Sequence, residues 1–268
     1  MRLLLYVPLT AAAVMALLPL YWLLTGAIKP PQTLMQMPPD LVPRGFTLQH
    51  FKQLFELSPA GVWLMNSLLV STVVTISNVA MCAMAGYGFA KVRFPGSRLL
   101  FWVCLCTMMV PPQVTVVPLF LMVRQLGMIN TYPGLMFPML VSAFGIFMMK
   151  QYVQSIPSEL IEAARIDGAG EMYLFWRIIF PVTKPAVAVL AILTFTSSWN
   201  NFLWPLLVTV DNDMWTLPIG VASMNDSMYS SVGLTMAAAA VAAAPMIVLF
   251  LSLQRYFLKG LTVGAVKG

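Results

Sequence analysis

Six stretches of this chain run for about twenty residues or more almost without charge, and that pattern limits what the chain can become. They cover residues 3–28, 62–90, 99–123, 132–149, 181–210 and 234–258. About 20 apolar residues wound as a helix cross the hydrocarbon of a bilayer. Inside lipid every backbone N–H and C=O must be paired within the spanning structure, and these runs show no alternation of period two, so helices are predicted rather than strands. The expected fold is an all-α membrane protein with six transmembrane helices forming one domain over residues 1–268. Composition agrees: 60% of the 268 residues are hydrophobic and 9% are charged. So few charges do not cover a soluble globule of this size.

The net charge of +6 is scattered between apolar runs, without the dense basic patch of a nucleic-acid-binding surface. Its distribution instead predicts topology. With the amino terminus inside, eleven Lys and Arg residues fall on the cytoplasmic side, among them Arg2, Lys91, Arg93, Lys150, Arg165, Arg177, Arg255 and Lys259. The four on the other side are Lys29, Arg44, Lys52 and Arg124. The excess places both termini in the cytoplasm. Arg2 ahead of an apolar run resembles a secretory signal, but the run is too long and lacks a small-residue cleavage site, so an uncleaved first span is expected. Cys82, Cys104 and Cys106 lie within apolar runs, with neither zinc-ligand nor disulfide spacing, and read as packing thiols.

Two outer loops are polar or rich in proline. Residues 28–61 contain "KPPQTLMQMPPDLVPRG", and residues 210–233 contain Asp211, Asp213, Asn225 and Asp226. Either is a plain connector or a surface for a soluble partner. The sequon at Asn225 has no supporting context.

The charged loop 151–180 is the most informative segment. Pro157 and Ser158 start a short helix, with the Ser158 hydroxyl expected to cap it and Glu159 and Glu162 near its positive end. Asp167 and Gly168 stop it, since glycine readily takes the left-handed conformation that closes helices. Leu160, Ala163, Ala164 and Asp167 share a face left shallow by the alanines. Beyond the bend, Tyr173, Trp176 and Arg177 suit a helix lying at headgroup level.

The segments "EAARIDGAG" and "RIIFPVTKP" resemble the EAA loop of permease subunits from bacterial ATP-binding-cassette importers, with Glu162, Ala163, Ala164, Asp167, Gly168 and Pro181 on the motif positions. "MVPPQVTVVPLF", "WNNFLWPL" and the terminal "GLTVGAVKG" are similar to the carbohydrate branch of that family, the maltose-type permeases. The resemblance implies the type I importer transmembrane fold, with a cytoplasmic coupling helix between helices 4 and 5. It also implies a bacterial cytoplasmic (inner) membrane location and four kinds of partner. These are a second permease subunit forming a heterodimer, a cytoplasmic ATPase dimer, an extracytoplasmic substrate-binding protein and membrane lipid. ATP and Mg would be held by the ATPase and no cofactor by this chain. In this family the EAA helix docks in a cleft of the ATPase, so Glu162 would contact it, Ala163 and Ala164 would allow close approach, and Gly168 would supply the bend.

The substrate route is less legible. Thr196, Ser197, Ser198, Asn200 and Asn201 lie in the fifth run and must point into the bundle, where they either bind helices together or line a polar path. Trp199 and Trp204 are candidates for stacking on sugar rings or for interfacial anchoring. Ser71, Thr72, Ser77 and Asn78 in the second run carry the same two readings. Pro111, Pro112 and Pro118 break the third run, as a packing kink or as part of a transport route. The run "AAAAVAAAP" ending at Pro245 offers a small-residue packing surface, suited to neighbouring helices or the second permease.

The single histidine, His50, lies in an outer loop, and no phosphate-cradling GxxxxGK[ST] occurs, so catalysis is not expected of this chain. The reading of another class is a self-sufficient channel or secondary transporter. It would place ionisable residues in the middle of spans, and the sequence has none there. The cargo is expected to be a sugar or oligosaccharide, or glycerol phosphate. The lack of an arginine within a span favours a neutral sugar.

Overall fold

A computed structural model describes residues 2–34, 36, 40–225 and 231–265. Asp226 of the outer loop, Lys267 and the last three residues of the terminal motif lie outside them, as do the side chains of Asn225, Arg255 and Lys259. The regular elements described are all helical. Three helices are long and apolar enough to cross a membrane singly, and three bent pairs qualify when each pair is taken as one span, for six in total.

The first span is Arg2–Ile28, the second Ala60–Lys91 and the sixth Val232–Ala265. The third joins Ser97–Thr107 to Pro112–Gln125 through a bend of 101°. There Pro111 and Pro112 remove two amide donors and push the residues before them out of the helical region. Pro112 then starts the second half, where its missing N–H has no cost, and Pro118 is accommodated inside it. The fourth joins Tyr132–Met139 to Ala143–Gln154 at 45°, and the fifth joins Glu171–Val182 to Lys184–Trp199 at 80°.

The fifth span differs most from expectation. A single run over 181–210 is replaced by a helix that ends at Trp199 and a separate short helix, Leu203–Val208. Asn200 and Asn201 lie in the gap. Asn201 Oδ1 accepts from the Trp204 backbone amide at 3.3 Å, an alternative to continued helical bonding that short polar side chains readily offer.

The second span is the axis of the bundle. Trp63, Asn66, Val70, Val74, Asn78, Cys82 and Gly86 are buried along it at three- and four-residue steps, with Tyr87 buried beside Gly86, so one stripe meets the fourth and fifth spans. Gly86 permits a close approach of the fourth span: a Cβ there would fall 2.6 Å from Met149 Cβ and 2.8 Å from the Lys150 amide nitrogen. Asn78 repairs the break in the fourth span. Its Nδ2 donates to the Met139 carbonyl at 3.2 Å, while its Oδ1 accepts from Ser142 at 3.3 Å and from Thr194 at 3.4 Å. Carbonyls freed inside a bundle require such partners, so Asn78 binds helices together. Ser77 turns to Met81, Thr72 is exposed, and Ser71 is buried with its hydroxyl unpaired.

The first span touches little but the sixth, where Ala27 meets Ala237 and Ala240. The alanine surface of the sixth span is therefore used within the chain: Ala238 packs in the cluster of Trp63 and Trp199, and the Ala242 carbonyl accepts from Trp199 Nε1 at 3.0 Å.

Candidate functional site

The loop helix forms over Ser158–Ile166. Its closing turn follows from sequence: Gly168 has φ +82°, its amide donates to the Arg165 carbonyl at 3.0 Å, and the Ala169 amide donates to the Ala164 carbonyl at 3.0 Å. This double bond pattern satisfies two carbonyls at the helix end, and only glycine takes its backbone angle freely. The start differs from expectation. Pro157 holds the capping position and the Ser158 hydroxyl caps nothing. Instead Ser158 Oγ accepts from Lys91 Nζ at 3.1 Å, and the same ammonium donates to the Ile156 carbonyl at 2.6 Å. A lysine ammonium is the stronger donor for that oxygen.

Ile161 points into the cluster of Tyr87, Val153, Leu174 and Phe175 and is 2% exposed. Burying such a side chain stabilises the docked helix by about 1.5–3 kcal/mol, which a nine-residue helix lacks on its own. The opposite side stands free. Leu160, Glu162, Ala163, Asp167 and Gly168 are exposed, Ala164 is half-buried, and Ile166 at the tip is 87% exposed. Clefts flank the helix. One of about 950 Å³ lies against Lys91, Arg93, Ser97 and Glu162, another of about 480 Å³ beside Asp167 and Gly168, and a third of about 650 Å³ along Leu160 and Ala163. A short, acid-started knob with an apolar tip thus projects between recesses.

At the far end of the helix, Arg165 Nη2 pairs with Glu171 Oε1 at 2.6 Å, and Glu171 Oε2 accepts from Tyr87 Oη at 2.5 Å. The hydrogen bond that Arg165 donates to Glu171 holds the guanidinium pKa above its usual value. Both side chains of the ion pair are nearly half exposed, so it contributes only about 0–1 kcal/mol to stability. After Gly170 the chain enters Glu171–Val182, whose residues Leu174–Ile179 form a π-helical turn. Tyr173 and Trp176 remain exposed on it, with the Trp176 ring set edge-on against Phe175 at 4.9 Å between centroids.

The residues proposed for the substrate path separate. Ser198 is buried with its hydroxyl unpaired. Trp199 is 3% exposed, stacked on Phe195 at 5.7 Å. Trp204 is 6% exposed, and its Nε1 donates to the Gly134 carbonyl at 3.1 Å. Asn201 is half-buried against Met139, and Asn200 alone among the five is exposed. Ser197, three residues before Asn200, is exposed as well.

Sequence reasoning assigned no role at the loop helix to Ile161, Ile166, Glu171 or Tyr87, and used Lys91 only in the charge count. The two isoleucines carry a legible signal, since Ile161 lies between the helix-breaking residues on the side opposite Ala163 and an isoleucine beside the closing Asp-Gly has little cover. The partners of Lys91 and Tyr87 are 65 and 84 residues away, and no local pattern announces them. Among the described residues no group of three His, Cys, Asp or Glu side chains is placed to hold a metal.

A bundle of six apolar spans, three of them broken, with an exposed helix on a polar loop, defines a membrane transport component. Residues 79–263 match the family described as the binding-protein-dependent transport system inner membrane component, and the chain belongs to that family. It is 37% identical over 259 residues to the arabinooligosaccharides transport system permease protein AraQ of Halalkalibacterium halodurans, covering 96% of this chain and 93% of that one. It is 33% identical over 264 residues to the sn-glycerol-3-phosphate transport system permease protein UgpE of Yersinia enterocolitica, covering 96% and 94%. In fold it is similar to a chain of a bacterial ABC transporter involved in the import of the acidic polysaccharide alginate. The TM-score is 0.86 at 21% identity, over 96% of both chains. The type I importer fold is therefore the fold of this chain, and it is an inner-membrane permease component.

Proposed function

We propose that this chain is one of two permease subunits through which an ATP-binding-cassette importer moves a carbohydrate into the cell, driven by ATP hydrolysis in a separate cytoplasmic ATPase dimer. The observation that carries the reading is the loop helix: its inner face is fixed by Ile161 while Glu162, Ala163, Asp167 and Gly168 stand free beneath an exposed Ile166. An apolar tip on an acidic knob gains from a partner of matching recess, and burying Ile166 is worth about 1.5–3 kcal/mol. Carbohydrate as cargo is supported by the arabinooligosaccharide relative, and glycerol phosphate is the second cargo that a relative's name suggests.

A soluble binding protein delivers the cargo on the side where loop segment 211–217 lies, and both termini lie on the cytoplasmic side with the loop helix. In the path we place Asn200 with its amide facing the route, while Ser198, Trp199, Asn201 and Trp204 shape the wall behind it. This chain performs no hydrolysis itself; ATP and Mg belong to the partner.

The test is photo-crosslinking from residue 166 in membranes holding the whole transporter. Adducts with the ATPase subunit are expected, and Ile166→Glu should lower the amount of ATPase that copurifies by about tenfold or more. Adducts with lipid alone would refute the docking role.

A further inference from the structure

Two anchors for the loop helix lie one turn apart at the inner end of the second span. Tyr87 reaches the last turn of the helix through Glu171 and Arg165, while Lys91 holds the first turn through the Ile156 carbonyl and Ser158 Oγ. The helix is thus tethered at both ends, and both tethers lead to one element. The mechanical route along the chain into the fifth span passes a π-helical turn and an 80° bend at Thr183. The second span has no such break over its 32 residues.

At its outer end the same rod grips the segment 212–217. Trp63 Nε1 donates to Asn212 at 3.0 Å, Asn66 Nδ2 donates to the Asp213 and Trp215 carbonyls at 2.7 and 2.9 Å, and the Leu217 amide donates to Ser67 Oγ at 2.7 Å. A displacement of the loop helix passed into the second span therefore arrives at an outer loop.

We propose that Glu171 is a positioning residue, whose carboxylate, shared between Tyr87 and Arg165, makes the loop helix and the second span move as one body and so carries the state of the ATPase to the outer segment 212–217. The inference rests on the docking of the loop helix described above. The half-exposed bridge adds little to folding, so its removal separates transmission from stability.

The experiment uses the whole transporter in proteoliposomes, with Cys104 and Cys106 replaced by alanine and Asp213→Cys as reporter. Asp213 is exposed within the outer segment and bonds to Asn66 through its backbone carbonyl, which the replacement keeps. The rate of its modification by a membrane-impermeant maleimide is measured with and without ATP plus vanadate. The parent should show a severalfold change. Glu171→Ala and Tyr87→Phe should lose most of that change while keeping the ATPase in the complex and hydrolysing ATP, and Glu171→Gln, which keeps an oxygen to accept from Tyr87 Oη, should retain part of it. A Glu171→Ala chain that responds fully, or a Glu171→Gln chain that responds no better than Glu171→Ala, overturns the inference. A parent complex without the ATPase would instead overturn the docking reading beneath it.

Discussion

Gly168 lies at φ +82° with open space around the position a Cβ would take. Any L side chain there meets a backbone cost of about 1–2 kcal/mol and no steric one. Gly168→Val should therefore insert and fold as the parent does but close the loop helix differently. Substrate moved per ATP hydrolysed is expected to fall on the order of tenfold, read from paired uptake and hydrolysis assays in vesicles. An unchanged ratio would show that the bend does not transmit force. Asn66 is a residue of the other kind, set by distant partners. Its amide donates to two carbonyls nearly 150 positions away, and its oxygen accepts from Tyr132 Oη at 2.7 Å. Nothing beside it in the sequence predicts those bonds.

Among elements, the contact of the second and fourth spans depends on the absence of a side chain at Gly86. Gly86→Leu drives a Cβ to 2.6 Å from Met149 Cβ, and overpacking of that kind costs about 1–3 kcal/mol. The variant should lower the yield of monodisperse protein and the midpoint of its thermal unfolding in detergent. Gly88→Ala, two residues on with nothing within 4 Å, should leave both unchanged. Equal behaviour of the two variants would mean that the spans do not meet there. The prolines act on the same scale: the third run announces its break through Pro111 and Pro112, whereas the fourth breaks at residues 140–142 with Asn78 of another span supplying the missing bonds.

For the whole molecule, two groups of polar bonds lie at opposite ends, with the Asn78 group between them. Lys91, Ser158, Arg165 and Glu171 gather at one end, and Trp63, Asn66, Asn130 and Asp211 at the other. By the charge count the first end is expected to face the cytoplasm. Cysteines introduced at Arg44 and Asn212 should react with an impermeant maleimide in intact cells, and those at Ser97 and Ser155 only after the membrane is opened. The reverse pattern would invert the topology and detach the loop helix from any cytoplasmic motor.

The number of spans, their helical nature and the loop helix with its glycine stop were legible in the sequence, because each follows from local properties: run length against bilayer thickness, backbone self-satisfaction in lipid, and one residue's φ preference. The tethers from Tyr87 and Lys91, the buried setting of Trp199 and Trp204, the sharing of the alanine stripe with the first span, and the early end of the fifth helix were decided only by tertiary structure. Those depend on which carbonyl or ring arrives opposite a given side chain, and the partners come from tens of residues away.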